Sequence, residues 1–362
     1  MAIKHLLHSG GICSLYTLII LLSGCSFDNV KRTHNGQLAN TTQQSMSLLP
    51  PELVPLVQSP QHLVELLGFE HITADNLQNL RTKEDAKSYH PAPDISVSQQ
   101  WVTGQLGQPD VNVYVINAQA GSRRPAILYM HGGGFVLGKA SDSVVGLQQL
   151  AREHNCVIVS VDYRLAPETI FPGSLEDNYA VLLWLYKHAD SLGVDKNRLV
   201  LMGKSAGGGH AAMLAVAARD RAEVPIKQQI LIYPMLDDRT GSSRAVPPWI
   251  GEFLWTTKSN NFGWSSLLGQ PAGSANVPYG SVPARIEDLS GLPATYIQVG
   301  SIDLFAEEDI SYAQRLIHAG VSTELVVLPG MFHSAENVFR NTEVSRQFHR
   351  LTNEAIARAL AE

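Results

Sequence analysis

Of the chain's 362 residues, 44% are hydrophobic and 17% charged, which is enough apolar material for a sizeable core. The formal net charge is −6 at pH 7 and no cluster of Lys and Arg occurs, so nucleic acid and other polyanions are excluded as partners.

Lys4 is the one formally charged side chain before Cys25, and the stretch from Ile12 to Leu22 is largely apolar. That length suits the h-region of a signal peptide; spanning a bilayer needs about 20 apolar residues. Leu22-Ser23-Gly24-Cys25 resembles a bacterial lipobox. The expectation is a lipoprotein signal peptide over 1–24, with Cys25 lipidated and holding the protein on a membrane surface. Ser26, where an aspartate would favour the inner membrane, points to the outer membrane facing the periplasm in a Gram-negative source. Cys13 leaves with the signal and Cys25 carries lipid, so Cys156 stands alone, with no intramolecular disulfide possible. It reads as a buried small hydrophobe at the start of a strand. Cleavage leaves 338 residues (362 − 24), within reach of one large domain with insertions.

Residues 25–45 are mostly polar without periodicity and read as a flexible tether. In 46–90, Leu53, Val54, Leu56 and Val57, then Leu63, Val64, Leu66 and Leu67, predict two short amphipathic helices. From 91 to 362 strands and helices alternate. Strand-like runs fall near 96–104, 111–116, 126–130, 156–161, 198–202, 228–233, 294–299 and 323–328. Helical stretches include Leu175 to Ala189, Ile310 to Ala319 and Val338 to Leu360. The alternation predicts an α/β fold with a mostly parallel central sheet of about eight strands and helices on both faces. One interval, about 237–290, is far longer than the usual connection and holds Trp249, Phe253, Trp255, Phe262 and Trp264. It predicts a cap insertion over a pocket, or aromatic glue between insertion and core.

Two glycine-rich segments carry chemistry. Gly203-Lys204-Ser205-Ala206-Gly207 lies between a strand-like run and a helical start. A tight turn there raises one serine above the sheet edge, and small neighbours permit the close backbone approach. His131-Gly132-Gly133-Gly134-Phe135 also follows a strand, and bare backbone N–H groups suit an oxyanion hole: Gly133, Gly134 and Ala206, with Gly132 as a further donor. His131 is expected to brace the loop. An elbow serine needs an acid and then a base later in the chain. Asp303, just past one strand, and His333, just past the next, fill those places. Glu307, Glu308 and Asp309 read as first-turn acids that complement a helix dipole, and His318 and His349 as surface residues. No metal-binding motif and no phosphate-loop spacing occurs, so neither metal nor cofactor is expected.

With Asp162-Tyr163-Arg164-Leu165-Ala166-Pro167-Glu168, Phe171-Pro172, Leu289-Ser290-Gly291-Leu292-Pro293 and Gly330-Met331-Phe332-His333, these segments resemble the hormone-sensitive-lipase-like branch of the α/β hydrolases, the bacterial esterases with an HGGG motif. The resemblance runs from about residue 90 to the C-terminus. It implies an α/β hydrolase fold with a helical cap, to which 46–90 contributes, and no cofactor. Lys204 departs from it, since the family has an acidic or small residue before the nucleophile. Arg164 and Glu168 have the spacing and charge for a loop-fixing ion pair. The expected function is a serine carboxylesterase acting on short- to medium-chain esters, its small-molecule substrates, through an acyl-enzyme. The alternatives are an amidase or polysaccharide deacetylase with the same triad, or a non-catalytic binding protein on a hydrolase fold.

Overall fold

Eight strands form: β1 (Val97–Val102), β2 (Val111–Ile116), β3 (Arg124–Met130), β4 (Val157–Asp162), β5 (Val194–Lys204), β6 (Gln228–Ile232), β7 (Ala294–Gly300) and β8 (Thr323–Leu328). The apolar runs of β3, β4, β6 and β7 are buried on both faces, whereas β1 and β8 keep exposed and half-buried positions. They form one sheet in the order β1-β2-β4-β3-β5-β6-β7-β8. β1–β2 and β2–β4 pair antiparallel, and every other neighbouring pair is parallel. The computed structural model describes residues 44–58, 71–85, 90–105 and 107–361. The expected signal peptide, Cys25, nearly all of the expected tether and the helix expected around Leu63 to Leu67 lie outside the described residues. The chain divides after Gln44, and the fold is that of Ser45–Glu362.

The helices are α1 (Val54–Val57), α2 (Ala74–Asp85), α3 (Val144–His154), α4 (Gly173–Lys187), α5 (Ala189–Leu192), α6 (Ala206–Arg221), α7 (Thr257–Leu268), α8 (Ala306–His318), α9 (Ala335–Val338) and α10 (Glu343–Leu360). Alternating strand residues divide the core into two apolar layers. Ala126, Leu128 and Met130 of β3 face one layer with Leu182 of α4 and Met213 of α6. Ile127 and Tyr129 face the other with Leu147 of α3 and Phe348 and Ile356 of α10. Each fully buried Val, Leu, Ile or Phe contributes about 1.5–3 kcal/mol, so the sheet's position between its two helix layers is firmly set.

The boundaries have local causes. α3 stops at Asn155, which takes the left-handed conformation (φ 46) that asparagine tolerates. Thr256 and Thr342 accept hydrogen bonds from Ser259 N and Ser345 N, starting α7 and α10. The latter cap starts the final helix at Glu343 rather than at the Val338 expected, where the separate short α9 ends. Cys156 precedes β4 rather than beginning it; burial is complete and pushes its thiol up to about 12. α2 carries no apolar stripe to announce it: of its described side chains only Leu77 is fully buried. Among the described residues, no helix is long and apolar enough to cross a membrane.

Candidate active site

Ser205 sits where β5 ends and α6 begins, with φ 57 and ψ −125, a conformation that costs energy for any residue with a Cβ. Its N–H donates to Ile232 O and its carbonyl accepts from Met235 N, so β6 and its following loop hold the turn in place. Glycine is obligatory at both shoulders. A Cβ on Gly203 would lie 2.1 Å from Gly207 O, and one on Gly207 would lie 2.1 Å from Met130 O.

The loops after β7 and β8 leave the same sheet edge and deliver Asp303 and His333. His333 Nε2 is 3.0 Å from Ser205 Oγ, and His333 Nδ1 is 2.8 Å from Asp303 Oδ2. Phe305 N donates to Asp303 Oδ1, fixing the carboxylate plane. The rings of Phe305 and Tyr233 meet the imidazole edge-on, at 5.1 and 4.7 Å between centroids. Because a carboxylate only accepts, Nδ1 carries the proton toward Asp303 and Nε2 is left to accept from the serine hydroxyl. The sequence reading placed these three in one site, and the structure brings them into one hydrogen-bonded line.

Gly132, Gly133 and Gly134 border the same cavity as Ser205. Gly133 (φ 125) and Gly134 (φ 61) take conformations that favour glycine, and Gly133 O accepts from Val136 N and Leu137 N. Among the described residues, the N–H groups of Gly133, Gly134 and Ala206 have no protein acceptor. The loop is held from behind. His131 Nδ1 lies 2.8 Å from Gly132 O, Tyr163 OH donates to His131 O at 2.6 Å, and the two rings stack 4.2 Å apart. Burial holds the His131 pKa below its usual value, so the ring is a neutral brace.

The cavity holds about 230 Å³. Leu137, Leu254 and Trp255 make it largely apolar, and Lys204, Ser334 and Asn337 supply a polar corner. Trp255 comes from the long insertion and closes down on the glycine loop: a Cβ on Gly134 would lie 2.1 Å from its ring. The N-terminal segment reaches the same region, since Ser45 Oγ donates to Glu252 Oε2 and Ile72 N donates to Ser259 Oγ.

Three expectations are corrected. Arg164 does not pair with Glu168. Its guanidinium turns toward α4 and binds Asp177 at 2.7 Å, while Glu168 turns outward and binds Arg81 of α2. Glu308 and Asp309 do lie in the first turn of α8, but as buried groups rather than exposed acids. Burial pushes Glu308 up to about 8 and Asp309 well above its usual value, so they do not act there as charged partners of the dipole. His349 is half-buried beside the Lys204 ammonium; burial first, then that charge, lowers its pKa. His318 is exposed, as expected. The sequence reading missed Glu336, which lies three residues past His333 and accepts from Lys204, Tyr233 and Asn337. Its nearness to the base in sequence was the only available signal.

A family model described as alpha/beta hydrolase fold matches residues 127–337. The carboxylesterase NlhH of Mycobacterium tuberculosis is 31% identical over 279 residues, spanning 72% of this chain and 77% of that protein. The esterase LipI of the same organism is 33% identical over 238 residues, 64% of this chain and 72% of that one. Among solved structures, one titled bacterial heroin esterase matches with a TM-score of 0.77 at 33% identity, covering 88% of this chain and all of its own.

Proposed function

Because this chain belongs to the alpha/beta hydrolase family and to its hormone-sensitive-lipase-like esterases, we propose that it hydrolyses carboxylic esters through an acylated Ser205. The observation that carries the residue roles is the line from Asp303 through His333 to Ser205, at 2.8 and 3.0 Å. Ser205 Oγ attacks the ester carbonyl while His333 Nε2 takes its proton, and Asp303 keeps Nδ1 protonated and steadies the imidazolium. The N–H groups of Gly133, Gly134 and Ala206 hold the oxyanion, each worth on the order of 3 kcal/mol of barrier. As the tetrahedral intermediate collapses, the C–O bond breaks and His333 gives its proton to the leaving alcohol. Water then repeats the cycle on the acyl-enzyme, releasing the acid and restoring the serine.

Short to medium acyl chains are the proposed substrates, since Leu254 and Trp255 bound a cavity of about 230 Å³. The test is turnover of p-nitrophenyl esters from acetate to palmitate by the wild type and Ser205→Ala. Turnover should fall with acyl length and drop by about 10³-fold or more in the variant. Fastest turnover of the palmitate ester would refute the length assignment, and an unaffected variant would refute Ser205 as nucleophile.

The signal peptide over 1–24, lipid on Cys25 and attachment to the cell envelope are proposals of the same standing. Their support is the apolar run ending in Leu22-Ser23-Gly24-Cys25 and the polar stretch after it. Cys25→Ala should move the enzyme from the membrane to the soluble fraction; unchanged fractionation would dismiss the anchor.

A further inference from the structure

The residue before the nucleophile is a lysine, and it lines the reaction cavity. Resting on the esterase reading, we propose that Lys204 makes this site select esters carrying an anionic group, a carboxylate on the acyl or the alcohol part, close to the scissile bond.

Among the described residues lining the cavity, Lys204 is the one Lys or Arg, and none is an Asp or Glu. Its side chain is 27% exposed, whereas that of Glu336, its one acceptor among the described residues at 3.4 Å, is 1% exposed. Glu336 is held on the protein side: the same oxygen that faces Lys204 accepts from Tyr233 OH at 2.6 Å and from Asn337 Nδ2 at 2.8 Å. Asp303 is likewise turned away, committed to His333 and to Phe305 N. The two buried carboxylates therefore face protein donors, and Lys204 is the partly exposed charged residue of the cavity lining. Lysine has three N–H donors, and among the described residues only the long contact to Glu336 uses one.

A neutral ester filling this cavity would strip water from the ammonium and leave it only the long contact to Glu336, which is unfavourable in an apolar enclosure. A substrate carboxylate replaces that water with an ion pair, and Ser334 and Asn337 stand beside it as further polar groups. Lys204 and Ser205 line the same cavity of about 230 Å³, so a substrate seated at the serine shares that cavity with the lysine.

The experiment compares kcat/KM within two matched pairs. For the acyl side these are mono-p-nitrophenyl glutarate and p-nitrophenyl valerate. For the alcohol side they are 4-acetoxybenzoate and its methyl ester. Each pair is assayed with wild type, Lys204→Met and Lys204→Arg, at ionic strengths of about 0.01 M and about 1 M. The expected result is an anionic-over-neutral ratio of about tenfold or more in one pair, reduced by salt, lost in Lys204→Met and kept in Lys204→Arg. Taking the ratio within each variant removes any loss of folded enzyme, and a purely structural lysine would leave the ratio and its salt dependence unmoved. A wild-type ratio at or below one in both pairs would overturn the proposal and leave the esterase standing. So would a high ratio that survives in Lys204→Met. No turnover of any of the four substrates by the wild type would overturn both.

Discussion

Asp303 and Glu308 lie on the same short stretch, both buried, yet they are prepared for opposite states. Asp303 is offered two N–H donors, from Phe305 and His333, which suit a carboxylate. Glu308 Oε1 accepts from Leu236 N and Asp237 N, but among the described residues Oε2 has no hydrogen-bond partner, and Arg244 stands 3.9 Å away. Burial wins, and the Glu308 carboxyl rises from its usual 4.5 to about 8. A carboxyl whose folded pKa is raised gives stability that is whole below about pH 4.5 and is lost as pH climbs to about 8. The slope is about 1.4 kcal/mol per pH unit at most. Glu308→Gln keeps the accepting oxygen and removes the titration. Its melting temperature should gain on the wild type between pH 5 and pH 8; a gap that stays constant across that range would contradict the assignment. None of this was legible in the sequence, because acids in a helix's first turn look alike whether the turn faces water or core. Arg164 and Glu168 teach the same lesson. Spacing suggested a pair, but the fold turned one toward α4 and the other toward α2.

The central strands were readable because a parallel strand buried on both faces is an unbroken apolar run, as in β3 and β4; β2, antiparallel to both neighbours, and the edge strand β8 also match their expected limits. Helix ends were less so, since a cap such as Thr342 depends on one side-chain hydrogen bond rather than a pattern. The glycine segments were the most legible elements, because few local structures require small residues so densely. The structure adds who presses on them. Gly134 has φ 61, and the Trp255 ring fills the space a side chain would need. Gly134→Ala must therefore displace the loop or the indole. The expected loss is about 10²- to 10³-fold in kcat, with much of KM preserved because the apolar walls remain. Steady-state kinetics beside a melting curve checks this. An equal loss of folded protein would reassign the effect to stability.

Over the whole molecule, residues 46–90 were anticipated as cap helices apart from a catalytic portion. In the structure they also share its core. Leu49, Leu53 and Val57 sit in the layer of α3 and α10, while Ile72 and Leu77 sit in the other. Glu52 accepts from Glu343 N and Val344 N, capping α10 from outside. A chain starting at Ser45 should fold and turn over esters, whereas one starting at residue 91 should aggregate or melt many degrees lower. Normal activity of the shorter chain would show the N-terminal helices to be dispensable. The arrangement of the three reacting side chains has one more consequence. Ser205 and His333 are 128 residues apart, and Asp303 and His333 are 30 apart. Nothing local holds them together; they converge only once β5 through β8 have found their register. Closing such long loops is the slow part of building a sheet. During refolding, helices can form and the chain collapse while the serine still has no partner, so returning activity marks the end of folding rather than its progress.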